Sequence, residues 1–184
     1  MSKISQIILS LLTFIVAIYI PLVTAYAQEA SSSSKSSIDS SYQLPYPGML
    51  PGNPLYFLKT IRDDLTAFFI SKPLDKAKFD LLQSDKNVEA SYLLVSQQQG
   101  KAQVALQTFS QAQDYFQQAI TETVNAKKQG YNTKEIISEL IESNQKHVQM
   151  LHAVALQTGN TNDQAVRQYL DREEFFAKTL KTLR

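Results

Sequence analysis

Residues 102–128 read AQVALQTFSQAQDYFQQAITETVNAKK. Within them Ala102, Ala105, Phe109, Ala112, Phe116, Ala119, Thr123 and Ala126 are separated by alternating steps of three and four. A repeat averaging 3.5 residues keeps one face of an α-helix turned towards a partner helix. Leu106, Ile120 and Val124 widen that face beyond a narrow seam. The stretch predicts a long helix packed side by side with others.

The flanking sequence repeats the pattern. Leu74, Ala77, Leu81, Ser84, Val88, Ser91 and Val95 keep the same steps, and the small residues among them are placed to receive the Phe side chains opposite. Ile137, Leu140, Asn144, His147, Leu151 and Val154 do likewise, as do Val166, Tyr169, Glu173, Phe176, Leu180 and Leu183. After Pro73 no further proline occurs, and only Gly100, Gly130 and Gly159 interrupt the run, at intervals of 30 and 29. Glycine just past a helix is the usual stop signal. Helices are therefore expected over about 73–98, 102–128, 133–157 and 162–183. Asn132 or Thr133, and the run Asn160-Thr161-Asn162-Asp163, supply N-caps, while Lys127 and Lys128 place cations at a helix C-terminus. No alternating run with an Asn-Gly or Asp-Gly turn is present. The expected class is all-α: an antiparallel, left-handed bundle of long hairpins, about five helices in all. The spacing leaves open whether the hairpins close into one bundle or stay extended.

Upstream, Leu58, Ile61, Leu65 and Phe68 fall on one stripe of a shorter helix that Ser71-Lys72-Pro73 ends. Asn53-Pro54 reads as N-cap and first helical residue. Pro45, Pro47, Pro51 and Pro54 make residues 43–54 an extended lead-in. Eight serines between Gln28 and Tyr42 read as a flexible tether. At the N-terminus, Lys3 precedes the apolar run Ile7 to Ile20, followed by Pro21 and Ala25-Tyr26-Ala27. That is the layout of a signal peptide cleaved after Ala27, with Ala25 and Ala27 as the small residues of the site. The rival is an uncleaved anchor, since the run is near the lower limit for a spanning helix. The expected organisation is a signal peptide over 1–27, a Ser-rich linker over 28–44 and a helical domain over 45–184, secreted or held in the cell envelope.

Composition narrows the function. Formal net charge is +1, and losing residues 1–27 removes only Lys3, leaving a neutral chain. Such a chain has no basic face for nucleic acid. The absence of cysteine rules out disulfides, thiolate metal sites, a Cys nucleophile and a lipid-modified cysteine.

The segment Leu50-Pro51-Gly52-Asn53-Pro54-Leu55-Tyr56-Phe57-Leu58-Lys59 is more specific. It resembles the opening motif P-G-x-P-L-Y-x-L-K of a bacterial extracytoplasmic domain of unknown function, carried here by Pro51, Gly52, Pro54, Leu55, Tyr56, Leu58 and Lys59. The residues downstream of the motif are similar too: a short apolar helix, a proline break at Pro73, then Asp75-Lys76-Ala77 opening a long hairpin. The resemblance spans residues 46–125. It implies an envelope-associated helical domain and no catalytic residue. The chain departs from the family's Arg- and Glu-rich hairpin, for residues 97–118 hold nine glutamines.

Reactive constellations are scarce. His147 and His152 lie five apart, about 140° round a helix, and no Glu stands three residues before either. His147 falls on the seam and reads as a partly buried core residue; His152 reads as solvated. Asp63-Asp64 and Glu173-Glu174 are neighbours pointing about 100° apart, which suits solvation and not acid/base work. Asn144 and Glu173 occupy seam positions; they are read as sitting at its edge and reaching water, the alternative being a buried pair that sets register. The aromatics of Tyr42 to Tyr46 and of Tyr56-Phe57 are read as packing on a bundle end. No Gly-rich phosphate loop or G-x-S-x-G elbow occurs. The expectation is a non-enzymatic interaction or structural module. It would work through a helical face on an unidentified protein partner or on itself, without a cofactor and with membrane contact only if the N-terminal segment stays uncleaved. The alternative is an extracytoplasmic small-ligand or metal sensor with a pocket near Asn144, His147 and Glu173.

Overall fold

The computed structural model describes residues 42–97, 101–159 and 164–184. The cleavage residues Ala25 and Ala27, the linker up to Ser41, Gly100 and the caps Asn160 to Asp163 lie outside them. Five α-helices form among the described residues, and no strand does: α1 (Tyr56–Phe69), α2 (Pro73–Gln97), α3 (Ala102–Lys128), α4 (Lys134–Thr158) and α5 (Gln164–Leu183).

Their ends follow local chemistry. Pro73 opens α2, where its missing N–H costs nothing. Thr133 caps α4 by position, without a side-chain cap bond, and Asn132 Oδ1 accepts from the Lys134 N–H. Gly159 ends α4 in the left-handed region at φ +70°, its N–H donating back to the last turn. One start differs from expectation. Asn53 and Pro54 do not cap and open α1; the helix begins at Tyr56. Asn53 Oδ1 instead accepts from the Leu55 N–H at 2.9 Å, an Asx turn that delays the helix by two residues.

The seams are buried. Ala105, Phe109, Ala112, Phe116, Ala119, Thr123 and Ala126 of α3 all lie inside, as do Ile137, Leu140, Asn144, His147, Leu151 and Val154 of α4. The core falls into layers. One holds Ala77, Leu81, Phe116, Ala119, Ile120, Ile136, Leu140, Phe176 and Leu180. A second holds Val88, Phe109, Ala112, Leu151, Ala155 and Val166. Following each helix from one layer to the other shows α2 and α4 running one way and α3 and α5 the other. α2 packs most extensively on α3, α4 on α2, and α5 on α4 and α3. The hairpins therefore close into one antiparallel bundle.

Ser84 and Ser91 of α2 do something the sequence did not suggest. Their hydroxyls donate to the α3 carbonyls of Ala112 and Ala105 at 2.7 and 2.8 Å. Two small residues facing two alanines draw the helices together, and each hydroxyl finds its partner across the gap.

α1 stands apart from this pattern. Its expected stripe, Leu58, Ile61, Leu65 and Phe68, is exposed, with Phe57 and Phe69 beside it. The opposite side of the helix faces inward: Asp63 is buried, and Lys59 lies over the Tyr56 ring.

Candidate functional site

Between the two apolar layers every long helix turns polar at the same level: Ser84 and Asp85 on α2, Gln113 on α3, Ser143, Asn144 and His147 on α4, and Glu173 on α5. All are buried.

Asp85 is one hub. Its Oδ2 accepts from the Tyr42 hydroxyl at 2.6 Å, and its Oδ1 accepts from Ser143 Oγ at 2.6 Å. His147 Nε2 lies 2.8 Å from the same Oδ1 and 3.1 Å from Ser143 Oγ. A carboxylate oxygen only accepts, so the proton of the imidazole is placed on Nε2. Nδ1 then has no hydrogen-bond partner among the described residues, and the ring meets Phe116 edge-on at 5.2 Å. Burial first, and then the charge of Asp85, pushes the Tyr42 phenol far above its ordinary range, so it remains a donor.

Glu173 is the other hub. Its Oε1 accepts from Gln113 Nε2 at 2.8 Å and its Oε2 from Asn144 Nδ2 at 2.6 Å. Gln113 Nε2 also donates to the Tyr169 carbonyl at 2.9 Å, which holds the amide in place. Burial raises the Glu173 carboxyl, against the pull of His147 and of the two amide donors.

The residues singled out in the sequence are thus sorted. Asn144 and Glu173 do not reach water at the seam's edge; they are buried and bonded to each other, because α5 lays Glu173 directly against α4. His147 is wholly buried rather than partly, and it turns to Asp85 and Ser143, not to Asn144 and Glu173. His152 is exposed. Of the neighbouring carboxylates, Asp63 is buried against Lys59 and Arg62 while Asp64 is exposed. The aromatics at the N-terminal side divide: Tyr42 bonds Asp85, Leu44 packs beside the second layer, and Tyr46 and Phe57 are exposed. The packed part therefore reaches back at least to Tyr42, within the residues expected to be linker.

The motif segment is a turn followed by a helix start. Asn53 N–H donates to Leu50 O at 3.3 Å, with Pro51 and Gly52 between them. Gly52 has φ +92°, which only glycine adopts without strain, and Pro before Gly is the order a type II turn requires. Tyr56 and Lys59 face inward; Pro54, Leu55 and Leu58 are exposed.

Sequence reading missed Asp85, Gln113 and Ser143, and it put Tyr42 on a bundle end, whereas its hydroxyl reaches Asp85 in the polar layer. Asp85, Gln113 and Ser143 flank their seams by one residue, so single-helix periodicity passes over them. A signal was present: with the four seams aligned through their loops, a polar residue sits at or beside the seam at one shared level.

Among the described residues no group of three His, Asp or Glu is arranged to hold a metal. An open groove of about 610 Å³ lies elsewhere, at the bundle end beside Lys127, Tyr131, Lys134, Ile141 and Leu183.

This defines an all-α antiparallel bundle whose core is divided by a hydrogen-bonded polar layer. Over residues 48–174 the chain matches the model of the Domain of unknown function (DUF5667), and it belongs to that family. The matched span runs beyond the 46–125 of the sequence resemblance, through α4 and into α5. No curated protein and no solved structure matches the chain.

Proposed function

We propose that this chain is a non-enzymatic interaction or structural module that works outside the cytoplasmic membrane, secreted or held in the cell envelope. The observation that carries the reading is the sealed layer: Asp85, His147 and Glu173, the residues best suited to proton transfer, are 3, 0 and 0% exposed and bonded to neighbours. A general acid or base needs hydrogen-bond reach to a substrate atom. Packed this way, these side chains specify how four helices align, which is the best-attested use of a buried polar group at a helix seam. The outer surface is left to make contacts. The apolar run Ile7 to Ile20 supports an extracytoplasmic location, whether it is cleaved after Ala27 or retained.

The test uses the full chain with a C-terminal affinity tag, expressed in its host, crosslinked in place and recovered for mass spectrometry. A defined protein partner, or the chain's own copy, is expected, lost on substituting one exposed helical face and kept when the buried layer is altered conservatively. A catalytic turnover by the purified chain that disappears in Asp85→Asn or His147→Gln would overturn the reading.

A further inference from the structure

The groove at the bundle end is built from three helix ends. α4 starts there, and the antiparallel order brings the last turns of α3 and α5 beside it. Thr133, Ile137 and Ile141 line it from α4, with Lys134 and Glu142 in the next row. Residues four apart share a helix face, so both rows run along the groove.

The two ends of the groove differ in charge. Lys127, Lys134 and Arg184 stand where α4 begins; all three are exposed, and none has an ion-pair partner among the described residues. The Lys127 amine gives one of its protons to the Leu183 carbonyl and keeps the others. Glu142, the acid among the lining residues, lies about 12 Å further along α4 than Lys134, at 1.5 Å per residue. Between these ends Ile137 is buried, and Ile141 and Leu183 are half-buried against the first apolar layer. The wall is basic, then apolar, then acidic.

The basic end also holds unused donors. Thr133 is 5% exposed, yet its hydroxyl makes no cap bond and has no hydrogen-bond partner among the described residues. The Lys134 N–H has Asn132 Oδ1 and the Ile137 N–H has the Thr133 carbonyl, whereas the N–H groups of Glu135 and Ile136 have no bond among those residues. Glu135, the acid of the first turn, pairs with Lys78 of α2 at 3.6 Å. A helix start left in this state favours an anion. A buried hydroxyl without a partner is costly until something answers it, and the groove is where Thr133 meets one.

We propose that the groove binds an organic anion charged at one end, a carboxylate with an apolar body of the fatty-acid kind. The head takes the Thr133 hydroxyl and the start of α4, between Lys134 and Arg184. The body lies along Ile137, Ile141 and Leu183. Glu142 stands where a second anionic group would fall, so the site selects one charged end over two. A volume of about 610 Å³ is within the roughly 300–1,000 Å³ of small-molecule sites. This site goes beyond the interaction-module reading and does not depend on it.

The full chain is titrated with octanoate, octanol and octanedioate. Binding is read from amide NMR shifts, which tell the groove from partition elsewhere on the chain. Octanoate is expected to give saturable shifts at Thr133 and Lys134, with octanol and octanedioate several-fold weaker. Lys134→Glu combined with Arg184→Glu, both at exposed positions, should weaken octanoate by about ten-fold or more. Thr133→Val removes the hydroxyl at nearly constant shape and should weaken it several-fold. Glu142→Gln should bring octanedioate up to the affinity of octanoate, a gain that misfolding cannot produce. Shifts confined to the exposed residues of α1, or no saturable shift at Thr133, overturn the proposal. So does octanol binding as well as octanoate, or octanoate binding that survives the double charge reversal.

Discussion

At the residue scale, burial sets the protonation of individual carboxyls. Asp80 is buried, its Oδ2 has no hydrogen-bond partner among the described residues, and burial pushes its carboxyl up to about 6 with Lys76 pulling it down. The folded state thus holds this proton more tightly than the unfolded chain. Stability falls as pH rises from about 4 to about 6, and the loss is complete above that. Asp80→Asn should raise stability at pH 7 by on the order of 1 kcal/mol and give little advantage at pH 4. Urea midpoints of the two proteins at both pH values check this; an equal difference at both would refute the assignment. Asp85 presents the opposite case. Asp85→Ala strands Tyr42, Ser143 and His147 together and should cost about 3–5 kcal/mol. Tyr42→Phe removes one of the same bonds and should cost only about 0.5–1.5 kcal/mol. The same denaturation series, read for both, separates a shared hub from a single contact.

At the scale of the element, helix ends obey local rules and helix faces do not. Gly159 ends α4 with φ +70°, and a Cβ added there meets nothing within 4 Å. Gly159→Ala should therefore lose about 1 kcal/mol from backbone strain alone. A calorimetric melt a few degrees below the parent is expected, with the helical signal at low temperature unchanged. Lys127 shows how an end can serve another helix: its charge complements the C-terminus of its own α3, and its amine donates to the Leu183 carbonyl of α5 at 2.7 Å. α1 follows the local rule for helix formation and defies the one for burial. Its stripe is as regular as those of α2 to α5, yet it faces out.

For the whole molecule, the polar layer divides an apolar core and matches four helices to one another. Glu173→Leu alone leaves the Asn144 amide with only the residue-173 backbone carbonyl, at 3.2 Å, and removes one bond of Gln113, and should cost about 3 kcal/mol. Asn144→Leu together with Glu173→Leu removes donor and acceptor in one step, and should recover most of that loss, since apolar replacements of buried polar pairs are often neutral. A double-mutant cycle on urea unfolding measures the coupling. A coupling below about 0.5 kcal/mol would mean the two side chains are not energetically one unit.

The sequence by itself determined the helical class, the starts of α1 to α4 to within two residues, the antiparallel order and the seam residues. These are set locally: periodicity, glycine stops and proline starts act within a turn or two of chain. It also carried the family resemblance at Pro51 to Lys59. The tertiary structure alone decided the rest. A polar residue one step off a seam, such as Asp85 or Gln113, looks solvated until a second helix arrives at its level, so in the sequence the layer is only a set of polar positions on four separate helices. Asn144 and Glu173 were legible as seam residues, but whether water reached them depended on where α5 lay. For α1, the buried side is the one that carries Asp63, with Tyr56 and Lys59 half-buried beside it, and amphipathic spacing carries no information about which side a helix turns to its neighbours.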